Sequence, residues 1–347
     1  MMRRSLLLTL LFVTSNAAFG QKGFGISSPP SWVEVPEFET SIPDTTDTGG
    51  FYYLLYNYQH NAETKQSYYH YAIKVVNDKG LASASAIDRS YDPAYERLDF
   101  HSLHIIRGSQ KINHLDRNEF EIIQREENLS RAMYDGSLTA IVNLKDVKEG
   151  DIVVYSYSVT GANPVFKGHF FKTFYLDFGV GIGKLTYRLL TKPSAKLQVK
   201  EFGSAPEQKE AMRNGLREYR WERFYVPGTN SEDKIPGWHD PFNRVQLTDF
   251  TSWEQLSEWN LDLFKVTKTK SKALKTFIDS LKSIEDEEAR VLAAIRTVQD
   301  KVRYFSFVDG MSSYRPHDPS EVFGNRYGDC KDKSLLLSEI LNEVGTE

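Results

Sequence analysis

From residue 51 to about residue 250, apolar side chains recur at alternate positions in short runs broken by Gly, Pro, Asn and Asp. That period belongs to strands with one face buried. Residues 68–76 alternate well, and Asn77 to Gly80 supply the turn chemistry that ends them. Residues 103–107 and 111–115 flank Gly108-Ser109 as the arms of a hairpin. Glu149-Gly150-Asp151 turns into a strand over 152–160, with Val153, Tyr155, Tyr157 and Val159 on one face. Further strands are expected at 184–190, 197–202 and 216–226. The pattern predicts a mainly β N-terminal domain, an antiparallel β-sandwich-like fold without an internal repeat of fixed period.

Near residue 250 the period changes. Thr251-Ser252-Trp253-Glu254 fits a capping box that opens a helix through about Trp259. Ser283 is the expected cap of a second helix, whose first turn holds Glu285, Asp286 and Glu287 at the positive end of the helix dipole. Val291, Ile295, Val298 and Val302 make its buried stripe. A third helix begins around Cys330 and carries Leu336, Leu337, Ile340, Leu341 and Val344 before Gly345 ends it.

The first twenty residues read differently. Arg3 and Arg4 precede an apolar run over 6–13, and Ala18 and Gly20 put small residues at −3 and −1 of a cut before Gln21. This is the layout of a signal peptide, and it predicts export to the periplasm or medium after cleavage near Gly20. The run is shorter than the ~20 apolar residues a spanning helix needs. Residues 21–50, rich in Pro, Ser, Thr and Gly, read as an extended lead-in or linker.

Composition narrows the chemistry. In 347 residues there are 43 basic and 47 acidic side chains, a net charge of −4 that gives no reason to expect a nucleic-acid partner. The single cysteine, Cys330, excludes an internal disulfide framework, a cysteine zinc site and an iron–sulfur cluster. No metal and no cofactor is expected. Tyr52, Tyr53, Tyr56 and Tyr58, and again Trp221, Phe224 and Tyr225, form aromatic clusters expected to pack in the core and pair across strands, the alternative being a sugar- or peptide-binding surface.

The chemistry concentrates around Cys330, in Arg326-Tyr327-Gly328-Asp329-Cys330-Lys331-Asp332-Lys333. Gly328 permits a tight backbone approach, and Asp329 is a natural N-cap. Cys330 would then be the first helical residue, where free N–H groups and the dipole favour a thiolate. Lys331 and Lys333 add positive charge, opposed by Asp329 and Asp332.

The stretch SSYRPHDPSEVFGNRYGDCKDKSLLLSEILNEVG resembles the opening of a bacterial transglutaminase-like core, of the superfamily that includes transglutaminases and papain-like peptidases. Residues 315–316 and 328–332 match its Arg-Pro loop and Gly-Asp-Cys-Lys-Asp motif, and Cys330 falls on its nucleophile. Upstream, HSLHIIRGSQKINHL, VKEGDIVVYSYSVTG and TDFTSWEQLSEW resemble the β-rich domain of unknown function 3857, over roughly 51–260. To the signal peptide over 1–20 and the lead-in over 21–50 the resemblance adds two parts, the β-rich domain over 51–260 and the helical start of an α+β core over 261–347.

It also implies a thioester mechanism. Cys330 attacks a peptide or carboxamide carbonyl, its own N–H contributes one oxyanion donor, and Gly328, Asp329, Lys331 and Asp332 support it. The superfamily's histidine and aspartate follow the cysteine, whereas all eight histidines here precede Cys330. The core is therefore expected to be incomplete in this chain and inactive by itself, with the apolar stripe of its last helix uncovered. His317, in the Arg-Pro loop, is not where the superfamily places its base. His101 and His104, three apart on a strand, are expected to point to opposite faces. Proteins, peptides or an envelope polymer are the implied substrates. The alternative is a non-catalytic envelope binding or structural module built on the β-domain.

Overall fold

The computed structural model describes residues 23–41, 49–126, 130, 132–229, 234–236, 238–266, 269–307 and 310–346. The expected signal peptide lies outside them. Strand-forming alternation dominates the first two-thirds: β1 (Phe24–Ile26), β2 (Phe51–Asn61), β3 (Gln66–Val75), β4 (Ala86–Tyr91), β5 (Arg97–Arg107), β6 (Gln110–Asn113), β7 (Glu121–Gln124), β8 (Met133–Tyr134), β9 (Leu138–Asn143) and β10 (Ile152–Thr160). There follow β11 (Phe171–Tyr175), β12 (Ile182–Thr191), β13 (Gln198–Phe202), β14 (Lys209–Arg213), β15 (Leu216–Val226) and β16 (Arg244–Thr248). A short helix, α1 (Leu81–Ser85), follows the turn at Asn77.

Among the described residues, nine strands form one sheet in the order β1-β5-β10-β3-β2-β12-β15-β14, with β6 also on β5. It is mixed. The pairs β1/β5 and β2/β12 run parallel, which corrects the expectation of an antiparallel fold. A period of two fixes which side chains share a face, but it is the same for either strand direction.

Two three-stranded sheets lie side by side on one face of the large sheet. Ile87 and Tyr91 of β4 and Ala140 and Val142 of β9 pack against Tyr71, Val153 and Tyr155. Phe174 of β11, with Val245 and Leu247 of β16, packs against Tyr58, Leu185, Tyr187 and Trp221. The expected aromatic core is present for Tyr52, Tyr58 and Trp221, whereas Phe224 and Tyr225 are exposed.

After β1, residues 27–41 strap the opposite face. Phe38 packs beside Tyr52 and Leu54. The carbonyl of Trp32 and the carboxylate of Glu34 both receive Arg188, 2.8 and 3.3 Å away. Arg188 is itself buried against Glu218 at 2.7 Å.

The remainder is helical: α2 (Trp253–Leu263), α3 (Lys272–Lys282), α4 (Glu287–Lys301), β17 (Arg303–Tyr304), β18 (Ser306–Phe307), α5 (Pro319–Asn325), β19 (Tyr327–Gly328) and α6 (Cys330–Glu343). Helix α2 crosses the expected boundary at 260, and its cap is Ser252, one residue later than expected, with Gln255 in place of Glu254. Ser283 closes α3 rather than opening α4, whose N-cap is Asp286.

Helix α3 has no counterpart among the expected elements, and it changes the packing. Its Leu274, Ile278 and Leu281 join Ala294, Val298, Val322, Phe323, Leu336, Ile340 and Val344 in one cluster. The stripe of the last helix is thus covered, not open as expected. The helical part is tied to the β-layers by the β18/β8 pairing and by Gly310, whose N–H donates to Asp92 and whose carbonyl accepts from Asn163.

Candidate active site

Backbone constraints build the site first. Strand β19 pairs in parallel with β17, and the N–H groups of Arg303 and Phe305 donate to the carbonyls of Arg326 and Gly328. Arg326 closes α5 in the left-handed region at φ 62°, turning the chain into β19. A Cβ on Gly328 would sit 2.7 Å from Cβ of Asp332 and 3.1 Å from Val322. Glycine is therefore required for α6 to start this close to α5.

Asp329 caps the helix. Its carboxylate accepts from the N–H of Lys331 at 3.0 Å and of Asp332 at 3.2 Å, and Asp332 reciprocates by accepting the Asp329 N–H at 3.0 Å. The second Asp329 oxygen receives the Ser306 hydroxyl at 3.0 Å and the Lys331 ammonium. Burial, which leaves Asp329 3% exposed, works to raise its pKa. The Lys331 ammonium, the Asp332 N–H and the Ser306 hydroxyl outweigh that, and the net direction is down.

Cys330 is the first residue of α6, and its thiol is exposed. Asp329 satisfies the second and third N–H groups of the helix but not the first. Among the described residues, the N–H of Cys330 therefore stays available at the positive end of the dipole, next to the thiol.

Asp332 leaves the helix about 200° round from Cys330 and is 2% exposed. It holds His317, whose N–H donates to Oδ1 at 2.8 Å and whose Nδ1 lies 3.2 Å from Oδ2. The imidazole is thus tied to the buried carboxylate of the first turn of α6. The two lysines are engaged as well: Lys331 with Asp329, and Lys333 with the carbonyl of Val302 at 2.6 Å, where it caps the end of α4. The opposition expected between lysines and aspartates takes the form of a direct Lys331–Asp329 pair, while Lys333 is held by a backbone carbonyl.

Sequence reasoning missed Tyr304. It pairs with Gly328 across β17/β19, and its phenol pKa is raised, first by burial and then by the adjacent Cys330 and Asp329. The strand-forming residues Val302, Tyr304 and Phe305 were the available signal.

The histidines of the large sheet also depart from expectation. A bulge opposite Ser156 and Tyr157 adds a residue at His101. His101 therefore bonds the Ser27 carbonyl of the strap, 3.0 Å away. His104 faces the same side, in step with Ile106, which packs against the core of the opposite face with Ile152 and Val154. Among the described residues no group of three or more His, Cys, Asp or Glu is placed to hold a metal ion.

Comparison with known proteins bears mainly on the β-layers. Residues 61–229 match the family described as "Domain of Unknown Function with solved-structure structure (DUF3857)". No curated protein matches the sequence. A crystal structure described as a "putative protease" from Parabacteroides distasonis ATCC 8503 has the same fold, with a TM-score of 0.68 at 15% identity over 86% of this chain. This chain spans 59% of that protein's length. A "putative nutrient binding protein" from Legionella pneumophila (8% identity, 86% of this chain and 95% of that one) and native yeast LTA4 hydrolase (15%, 91% and 48%) superpose with TM-scores of only 0.27 and 0.30, too loosely to carry an argument. No helix of the described residues is long and apolar enough to cross a membrane.

Proposed function

We propose that this chain carries the nucleophile of a transglutaminase-like cysteine acyl-transfer protein, peptidase or transglutaminase in type, that works after export. One observation carries the reading: Cys330 presents an exposed thiol and an unspent backbone N–H together at the capped N-terminus of α6. The thiolate adds to an acyl carbonyl, the Cys330 N–H receives the oxyanion, and collapse expels the leaving group to give a thioester. Gly328, Asp329 and Asp332 act as positioning residues, and Lys331 holds Asp329 charged. The substrate class is a protein, a peptide or an envelope polymer. With His317 tied to Asp332, the reading expects acylation of Cys330 but no efficient turnover by these 347 residues alone.

Acylation by p-nitrophenyl acetate, followed by intact-protein mass spectrometry, tests it. Cys330 should be acetylated faster in the folded chain than in the urea-unfolded chain, and C330S should take up no acetyl group there. Equal rates would overturn the catalytic reading in favour of a binding module built on the β-layers. N-terminal sequencing of protein from the producing cell tests export, with Gln21 expected first.

A further inference from the structure

Between the two small sheets lies a cleft of about 550 Å³, floored by His60, Ser67 and Tyr69 of the large sheet and closed at its mouth by Ser313 and Tyr314 of the helical part. Ser90 of β4 lines one side and Lys172 of β11 the other. The size and the position between layers suit a small-molecule site.

Its charges are arranged unusually for a mere packing gap. Lys172 is half-buried, and among the described residues its ammonium has no hydrogen-bond or ion-pair partner. Glu96, also half-buried, uses Oε2 to accept the Asp92 N–H at 2.9 Å. The two charges sense each other without a direct contact: burial lowers the Lys172 pKa and raises that of Glu96, and each opposes the other's shift. A second carboxylate, that of Asp92, lies close enough to Glu96 for its charge to add to the upward shift there. Burial keeps His60 neutral, with its pKa near 3. The Asp92 carboxylate accepts from the N–H groups of Ala94 and Gly310 and is held in place by them. Beside the charged pair the wall is aromatic, with Phe166 edge-on to Phe171 at 4.8 Å and to Tyr314 at 5.1 Å.

An ammonium and a carboxylate that share a cleft without touching are both under-solvated. A bare anion would satisfy Lys172 and be repelled by Glu96, and a bare cation would meet the converse. A ligand carrying both charges a few bonds apart satisfies the two at once. We propose that this cleft binds a free α-amino acid with an apolar side chain: its carboxylate on Lys172, its ammonium on Glu96, and its side chain among Phe166, Phe171 and Tyr314. The site is independent of Cys330 and of the acyl-transfer reading.

Titration calorimetry on the full chain tests it, with L-phenylalanine and L-leucine as probes. At least one should bind, and for that amino acid the N-acetyl derivative and the carboxamide should each bind about tenfold or more weakly. K172M should weaken the parent by at least about tenfold, and E96Q should bring the N-acetyl derivative to within roughly threefold of the parent. No binding of either amino acid at roughly 10 mM, or analogues that bind as well as the parent, would overturn the proposal. Should K172M fail to fold by circular dichroism, the analogue series on the unaltered chain still decides.

Discussion

Cys330 and Asp332 leave the first turn of α6 on opposite sides, the thiol to solvent and the carboxylate into a buried contact with His317. This division separates what α6 presents from what holds it in place, and it sets the expected effects of substitution.

Removing the thiol should be harmless to folding. C330A is expected to change stability by less than about 0.5 kcal/mol, because the side chain is exposed. D329A should cost about 1–3 kcal/mol, since it removes the cap from two N–H groups and leaves Lys331 and Ser306 without their partner. Urea unfolding followed by circular dichroism measures both.

G328A should destabilise by about 1–3 kcal/mol, because the added methyl would lie 2.7 Å from Asp332 and force α6 away from β19. It should also slow acetylation of Cys330 in the assay above. A neutral outcome would mean that α6 can shift without cost.

The covered stripe of α6 makes α3 and α6 interdependent. L336A and L274A, at sites that are both fully buried, should each cost about 2–5 kcal/mol. Each should promote proteolysis in both helices, read by mapping the cleavage sites. If cleavage in L274A stays confined to α3, the shared core is not the source of their order.

Glu218 is buried against Arg188, whereas Glu34 in the strap is partly exposed. E218A should therefore cost about 3 kcal/mol or more, by stranding a buried guanidinium, and E34A well under that. Thermal unfolding of the two variants gives the comparison.

Acid should weaken the fold in a defined window. Burial, aided by the Lys172 charge, holds His60 at about 3, and burial, aided by His104, holds His70 at about 4. Unfolded, both take a proton near the ordinary 6.5, so the unfolded chain binds more protons between those values. Stability should be level above pH 6.5 and fall as the pH drops towards 4, by about 3 kcal/mol at most for His70 alone. H70Q should flatten that slope in urea titrations at several pH values.

The strands were legible where a buried face imposed a period of two, and β10 and β15 follow the expected bounds. So were the motif from Gly328 to Asp332 and the cap at Asp329, because these are local: a close approach, a helix start and a thiol at its first residue. Periodicity is silent on which strands become neighbours. Only the tertiary structure set β2 beside β12 in parallel, brought His101 and His104 to one face through a bulge, and laid two small sheets over a large one with a charged cleft between them. It likewise tied His317 to Asp332 and brought Tyr304 towards Cys330. Local pattern fixes what each residue contributes to its own turn or strand, and long-range packing decides which of those contributions meet.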